Sequence, residues 1–162
     1  MTTLRMAQTP PRRHPPGLTR RDGQDVTFMI VDDDSITVMA LKRELRRLDI
    51  ANPVRVARDG VEALEMLRGD PEVTELQKPY VLTLDINMPR MGGLEFLDEV
   101  RRDPSLRSIV VFILTTSDTP SDVAHAYSKN VAGYIVKDDL RASLGRALEM
   151  IRDYSQVVEL PN

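Results

Sequence analysis

Charged and hydroxyl residues that could carry chemistry follow four separate apolar runs of the sequence, at the point where each run ends. They are Asp32 and Asp33, Asp85, Thr115 and Lys137. If the runs are parallel strands, their carboxyl ends meet at one edge of a sheet, where ligands bind in open α/β folds. The pattern therefore predicts a single site made of three carboxylates, a hydroxyl group and an ammonium group.

These residue types suit phosphoryl transfer onto a carboxylate. Gathered carboxylates repel one another by about 4 kcal/mol for each close pair at an effective dielectric constant near 20, so a cation must compensate. Mg²⁺ prefers carboxylate, carbonyl and water oxygens, and Asp32 and Asp33 are suited to bind it. The metal, the Lys137 ammonium and the Thr115 hydroxyl could each hold one phosphoryl oxygen. Asp85 lies between these groups and is the predicted acceptor.

The elements that must position these residues alternate between strand and helix patterns. Apolar runs predict five strands, and a segment with an apolar stripe at helical spacing follows each of them. This alternation predicts a doubly wound α/β fold with a five-stranded parallel sheet and helices on both faces. The predicted strands are residues 26–31, 53–57, 81–84, 109–114 and 132–136, and the helices begin near residues 35, 61, 93, 120 and 140.

Length and composition favour one domain with one core. The 162 residues are 41% hydrophobic, enough for a domain of ordinary size. The predicted parts are a disordered basic Pro/Arg-rich tail (1–24), a folded domain (25–155) and a short C-terminal tail (156–162). The absence of cysteine excludes disulfides and thiolate sites. No apolar run approaches the roughly 18 to 20 residues that span a bilayer, and no signal peptide is visible. We expect a cytoplasmic protein with no membrane partner.

The charge distribution argues against nucleic acid as a partner of the folded domain. Residues 1–24 hold five arginines and one aspartate, a formal charge of +4, whereas the whole chain carries −3. Residues 25–162 therefore carry −7, a charge that repels a phosphate backbone.

Four sequence motifs together resemble the receiver domain of two-component response regulators, the CheY-like family, over residues 26–154. The resemblance implies a flavodoxin-like sheet and a stand-alone response regulator, because little chain is left for an output domain. Segments 103–107 and 114–117, with Tyr127, are similar to the receivers paired with phytochrome-type sensor kinases. The four motifs are Val31-Asp32-Asp33-Asp34, Leu84-Asp85-Ile86-Asn87-Met88-Pro89, Leu114-Thr115-Thr116 and Gly133-Tyr134-Ile135-Val136-Lys137.

The resemblance also implies how the acids of the site act. Asp85 would accept a phosphoryl group from the phosphohistidine of a sensor histidine kinase or a phosphotransfer protein. Asp33, Asp85 and the backbone carbonyl of Asn87 would bind Mg²⁺. Asp32 would assist directly or through water.

The remaining residues would carry the response to phosphorylation. By resemblance, Thr115 and Lys137 engage the phosphoryl group, and Tyr134 rotates inward when Thr115 is drawn towards it. The residues two positions after the acceptor and after the threonine, Asn87 and Ser117, would influence how fast water removes the phosphate. A downstream protein partner would respond, and the face of the fourth helix, fifth strand and fifth helix would be the contact or homodimer surface.

The sequence departs from the family pattern at two places. Asp138 follows the lysine where the family has a proline in a cis peptide. A non-proline cis peptide costs roughly 2.5 to 4 kcal/mol, so we expect a trans bond here. Gly92-Gly93 replaces the usual Asp-Gly or Asn-Gly turn, a change that we expect to matter little.

Other functions fit these residues less well. A Mg²⁺-dependent phosphatase of the haloacid dehalogenase type needs Asp-x-Asp, and the second acid is Asn87 here. In a flavin or nucleotide binder, the acids at 32–34 would repel the ligand's phosphate. A receiver that acts as an unphosphorylated scaffold is a further alternative. We expect no enzyme activity beyond self-phosphorylation and self-dephosphorylation. Asp34 or Ser35 is predicted to cap the first helix, and for Asp34 we favour capping over a role in the site.

Overall fold

The computed structural model describes residues 26–69, 79–137 and 140–161. The predicted basic tail and Asp138 lie outside the described residues. Strands and helices alternate along the chain, as the sequence pattern predicts. They are β1 (Thr27–Val31), α1 (Ser35–Arg47), β2 (Val54–Ala57), α2 (Gly60–Arg68), β3 (Tyr80–Leu84), α3 (Gly93–Arg102), β4 (Val110–Thr115), α4 (Pro120–Ser128), β5 (Gly133–Val136) and α5 (Leu140–Val157).

The five strands form one parallel sheet in the order β2-β1-β3-β4-β5. The predicted doubly wound fold is therefore confirmed. The strand order reverses between β1 and β3, which lie side by side at the centre. Val31 pairs with Leu84, so β1 and β3 end level with each other. Leu84 pairs with Ile113, and β4 continues from there to Thr115. Residues that follow β1, β3 and β4 are thereby brought to the same edge of the sheet.

Two hydrophobic clusters cover the two faces of the sheet. Along β3, Leu82 and Leu84 belong to the cluster that includes residues of α2, α3 and α4, whereas Val81 belongs to the cluster with α1 and α5. Alternate residues of a strand point to opposite faces. Because both faces are covered, β3 is buried along its whole length, as central parallel strands are.

The helix ends follow local sequence signals. Asp34 caps α1 by accepting hydrogen bonds from the amides of Ile36 and Thr37, which confirms its predicted role. Thr119 caps α4 with Pro120 at the first helical position. Asn130, which follows the end of α4, has a positive φ of 53°, the left-handed conformation that commonly terminates a helix.

The C-terminal end of the described chain packs against the core. Helix α5 continues to Val157, beyond the predicted domain boundary at residue 155. Leu160 is buried and belongs to the cluster formed with α1 and α5. Core contacts thus extend into the segment predicted as a short tail. Among the described residues, no helix is long and apolar enough to cross a membrane.

Candidate functional site

The acidic part of the site lies at the carboxyl edge of the sheet, just beyond β1 and β3. The amide of Asp85 donates to the carbonyl of Val31, 2.9 Å away, and the amide of Asp32 donates to the carbonyl of Ala57, 3.0 Å away. These bonds continue the parallel ladders one step past the assigned strands. The backbone therefore fixes the Cα atoms from which both carboxylates project.

Asp32, Asp33 and Asp85 come together as the sequence pattern predicts. Each offers one carboxylate oxygen, and these oxygens all lie within 4.8 Å of one another. Asp32 and Asp85 are buried, whereas Asp33 is exposed. The cluster is thus open to solvent on the side of Asp33. Such a set of hard oxygen donors fits a divalent cation that keeps part of its water shell.

The ammonium of Lys137 reaches into the acidic cluster from the end of β5. Its backbone amide donates to the carbonyl of Thr115 at 2.8 Å, which continues the β4–β5 ladder. Its Nζ lies 2.7 Å from Asp32 Oδ2 and 3.9 Å from Asp85 Oδ1, and the lysine side chain is 4% exposed. The Lys137 ammonium therefore offsets part of the repulsion between the buried carboxylates of Asp32 and Asp85.

Asp32 is held in a strongly desolvated position. Burial raises the pKa of its carboxyl above the usual value, although the hydrogen bond and the charge of Lys137 and the amide of Asp34 act against that rise. The charge of Asp85 adds to it. An additional cation in the cluster would favour the ionised form of this carboxyl.

One carboxylate oxygen of Asp85 also indicates that a cation fits this cluster. Asp85 Oδ1 is buried and has no hydrogen-bond donor among the described residues. A buried acceptor that receives no hydrogen bond carries a free-energy penalty of about 1–3 kcal/mol. The residues present therefore fit a bound cation, which would supply the missing interaction.

The loop that carries Asn87 is fixed by contacts with the beginning of α2. The guanidinium of Arg90, a residue with a positive φ of 61°, donates through Nε to Asp59 Oδ2 at 2.6 Å. The amide of Gly60 donates to the carbonyl of Met91 at 3.0 Å. The Asp59–Arg90 pair was not predicted, because the two residues lie 31 positions apart. The side chain of Asp59 also accepts a hydrogen bond from the Glu62 amide and thereby caps α2.

The hydroxyl side of the site is formed by the end of β4 and the loop that follows. Thr115 is fully buried, and its Oγ1 accepts a hydrogen bond from the amide of Ser117 at 3.3 Å. The hydroxyl of Tyr134 donates to the Ser117 carbonyl at 2.9 Å. The predicted switch residue thus already contacts the loop next to Thr115. Asp122 of α4 accepts a hydrogen bond from the Ser117 hydroxyl, and this contact was not predicted.

The arrangement as a whole can hold a cation and a phosphoryl group side by side. The structure brings together Asp32, Asp33, Asp85 and Lys137, with Thr115 bonded to the backbone of Lys137. The roles of these residues in binding and transfer stay predictions.

Known proteins are similar to this chain in both sequence and fold. The model of the response regulator receiver domain family matches residues 28–149. The probable methanogenesis regulatory protein FilR2 of Methanothrix harundinacea (strain 6Ac) is 33% identical over 127 residues, which cover 78% of this chain and 81% of that protein.

Two solved structures extend the similarity. The phosphorylated cyanobacterial phytochrome response regulator RcpA has a TM-score of 0.72 at 28% identity, and the match covers 86% of this chain and 100% of that one. The Mn²⁺-bound form of response regulator Rcp1 has a TM-score of 0.71 at 27% identity, covering 84% and 99%.

These matches give no support to the phosphatase alternative, because receiver domains are signalling phospho-acceptors. The matched residues include every strand except the first residue of β1, and all the acids of the site. The chain therefore belongs to the response regulator receiver domain family of two-component systems.

Proposed function

We propose that this protein is a phosphorylation-dependent response regulator in which Asp85 accepts the phosphoryl group. The observation that carries the proposal is the buried Asp85 Oδ1, which lacks a hydrogen-bond donor among the described residues and lies within one cluster with Asp32 and Asp33. A cation bound by this cluster would offset the burial of the Asp85 carboxylate. Mg²⁺ is the cation that suits these donors.

Mg²⁺ would be held by Asp32, Asp33, Asp85 and the backbone carbonyl of Asn87. The Mn²⁺-bound form of Rcp1 shows that a similar protein binds a divalent cation, which supports the assignment. When bound, the ion would neutralise charge on the acids and on a phosphoryl oxygen. Asp33 is exposed, so it leaves the cluster accessible to the donor molecule.

The transfer itself is a substitution at phosphorus. A carboxylate oxygen of Asp85 attacks the phosphohistidine of the donor, an oxygen–phosphorus bond forms, and the nitrogen–phosphorus bond breaks with its electron pair left on the imidazole. Lys137 then moves its ammonium from Asp32 towards a phosphoryl oxygen, and the Thr115 hydroxyl donates to another. The acyl phosphate on Asp85 is the signal. Slow hydrolysis of this acyl phosphate ends the signal.

The phosphate donor is a sensor histidine kinase or a phosphotransfer protein, and a downstream protein partner reads the modified form. The similarity to a phytochrome response regulator supports a donor of the phytochrome-linked class. The face of α4, β5 and α5 is the proposed surface for the partner or for a homodimer. The acidic charge of −7 on residues 25–162 disfavours nucleic acid. The protein acts in the cytoplasm and has no enzyme activity towards other substrates.

Incubation with acetyl phosphate and Mg²⁺, followed by intact mass measurement, tests the proposal. The wild-type protein should gain one adduct of about 80 Da, the mass of a phosphoryl group. Asp85→Asn should gain none, whereas Asp153→Asn on the exposed side of α5 should be phosphorylated normally. Absence of the adduct on wild type would instead favour an unphosphorylated scaffold. Equal modification of Asp85→Asn would place the acceptor elsewhere.

A further inference from the structure

Ser117, in the loop between β4 and α4, forms three hydrogen bonds that lead to three different elements. Its amide donates to Thr115 Oγ1 at 3.3 Å. Its hydroxyl donates to Asp122 Oδ2 at 2.5 Å, and its carbonyl accepts from the hydroxyl of Tyr134 at 2.9 Å. One residue thus connects the end of β4, the first turn of α4 and the middle of β5.

The side chain of Asp122 has an orientation that capping alone does not require. Asp122 is the third residue of α4, where an acid usually turns back to the helix-capping residue. The amide of Asp122 donates to Thr119 Oγ1 at 3.3 Å, as in a capped helix. Its carboxylate, however, reaches beyond the cap to the Ser117 hydroxyl. Hydrogen bonds from Ser117 and then Thr119 lower the pKa of Asp122, so the acceptor is charged at neutral pH and the bond is of the strong, charge-assisted kind.

The bond to Asp122 restricts the orientation of the Ser117 carbonyl. Without it, the loop is held at Ser117 through the longer amide bond to Thr115 and through Tyr134 itself. With it, the side chain of Ser117 is fixed to a helix and its amide to a strand. With Ser117 held at its amide and its side chain, rotation about its Cα–C bond is the main freedom left to its carbonyl, which accepts from Tyr134.

We propose that Asp122 is a positioning residue that, through the Ser117 hydroxyl, fixes the Ser117 carbonyl as the acceptor for Tyr134 and joins the movement of Thr115 to the first turn of α4. The first part concerns the unmodified protein and stands by itself. The second part rests on the proposed function, because phosphorylation of Asp85 is what draws Thr115 towards the phosphate.

Fluorine NMR of the protein labelled with 3-fluorotyrosine tests the first part without phosphorylation. The chain has four tyrosines, Tyr134→Phe assigns the resonance of interest, and Tyr127, which is 53% exposed, gives the reference position of a solvated ring. Asp122→Ala should move the Tyr134 resonance towards that reference. Ser117→Ala should move it by the same amount.

The double variant and a charge control decide whether the two side chains act as one unit. Ser117→Ala combined with Asp122→Ala should shift Tyr134 no further than either single change, and Ser117→Thr, which keeps a hydroxyl, should retain the wild-type position. Asp118→Ala removes the same charge from the exposed neighbour of Ser117 and should have little effect. An unchanged Tyr134 resonance in Asp122→Ala, an equal shift in Asp118→Ala, or additive shifts in the double variant would overturn the proposal. If Asp122→Ala does not fold, Ser117→Ala and Ser117→Thr test the same hydrogen bond from its other side. An unchanged Tyr134 resonance in Ser117→Ala would then overturn the proposal.

Phosphorylation with acetyl phosphate and Mg²⁺ tests the second part, because Tyr127 lies on α4 and Tyr134 on β5. In wild type both resonances should change with the phosphorylated fraction measured by intact mass. In Asp122→Ala, phosphorylated to the same extent, the change at Tyr127 should be lost. A full change at Tyr127 in that variant would refute the connection to α4. If wild type itself gains no phosphoryl group, the proposed function fails, while the experiment on the unmodified protein still decides the role of Asp122.

Discussion

Lys137 Nζ lies 2.7 Å from Asp32 Oδ2 but 3.9 Å from Asp85 Oδ1, so the ammonium is bonded to the predicted metal ligand rather than to the predicted acceptor. Both side chains of the short pair are almost completely buried. A phosphoryl group on Asp85 would offer the lysine a second anionic partner. The present pairing is therefore the state that phosphorylation must rearrange.

Removal of the Lys137 ammonium should destabilise the metal-free protein. Lys137→Met keeps most of the side-chain volume but leaves Asp32 buried without its ion-pair partner. Breaking a buried pair on one side costs about 3–5 kcal/mol, and urea denaturation in EDTA should show a loss of this size. Asp32→Asn combined with Lys137→Met removes both charges and should recover a large part of the stability. A double variant as unstable as the sum of the single changes would show that the pair does not act as a unit.

Loss of Asp33 should weaken Mg²⁺ binding without loss of stability. Asp33 is the exposed member of the acidic cluster, so Asp33→Asn should leave the metal-free melting temperature unchanged or slightly raised, because it removes a like charge. Mg²⁺ should raise the melting temperature of wild type by linkage and that of Asp33→Asn much less. Asp153→Asn, whose side chain is 65% exposed, is the matched control and should respond like wild type. Equal responses in all three proteins would remove Asp33 from the metal site.

Gly92, the capping residue of α3, and Gly93, its first residue, should differ sharply in their tolerance of alanine. A Cβ at Gly93 would lie 2.0 Å from the Asp85 carbonyl oxygen, whereas one at Gly92 would lie 3.1 Å from that of Ile86. Gly93→Ala should therefore lower the free energy of unfolding by about 1–3 kcal/mol or more, the range typical of overpacking. It should also slow phosphorylation, because the backbone of Asp85 must move. Gly92→Ala should cost less than about 1 kcal/mol, the usual range for a helix-capping position.

Thermal denaturation and acetyl phosphate labelling of the two alanine variants make the comparison. Equal behaviour of the pair would contradict the close approach of α3 to Asp85. A mild effect at Gly92 would agree with the expectation that the Gly92-Gly93 departure from the family pattern matters little.

Asp59 should make the stability of the protein depend on pH in the acidic range. Burial acts to raise its pKa, but hydrogen bonds from the Glu62 amide and from Arg90 outweigh burial and lower the pKa below 3.8. Because the folded-state pKa lies below the unfolded value, ionised Asp59 stabilises the fold above about pH 4, and this contribution is lost as the pH falls through the folded-state pKa.

Asp59→Asn isolates that contribution, because asparagine keeps a capping oxygen for α2. The variant should be less stable than wild type at pH 7, and the difference in free energy of unfolding should shrink as the pH falls below about 4. Arg90→Ala should show the same trend, whereas Asp153→Asn should not. A difference between Asp59→Asn and wild type that is constant with pH would rule out a role for the Asp59 charge.

Much of the fold was predictable because strands and helices follow local patterns. The predicted starts of α1 at residue 35 and α3 at residue 93 agree with the structure, and each strand lies within about one residue of its predicted bounds. Asp34 gave a correct signal for the start of α1, since a helix-capping side chain acts on amides only two or three positions away. The end of α5 was less clear, because Leu160 is drawn into the core by contacts that no local pattern specifies.

The grouping of the three acids was predictable, but the contacts of the individual side chains were not. Asp59 and Arg90 are 31 residues apart, and Lys137 and Asp32 are 105 apart. For residues this far apart, the sequence does not show which carboxylate oxygen the lysine or arginine side chain will contact. That contact depends on distances of a few ångströms between side chains from different elements.

The sequence by itself determined that acids, a threonine and a lysine follow the apolar runs, and the period of those runs placed them at one edge of a parallel sheet. The tertiary structure alone decided that Lys137 pairs with Asp32, that one oxygen of Asp85 is buried without a hydrogen-bond donor among the described residues, and that Ser117 joins Thr115, Asp122 and Tyr134. The physical reason is that strand ends are set by local hydrophobic pattern, whereas hydrogen-bond partners and desolvation are set by how separate elements pack.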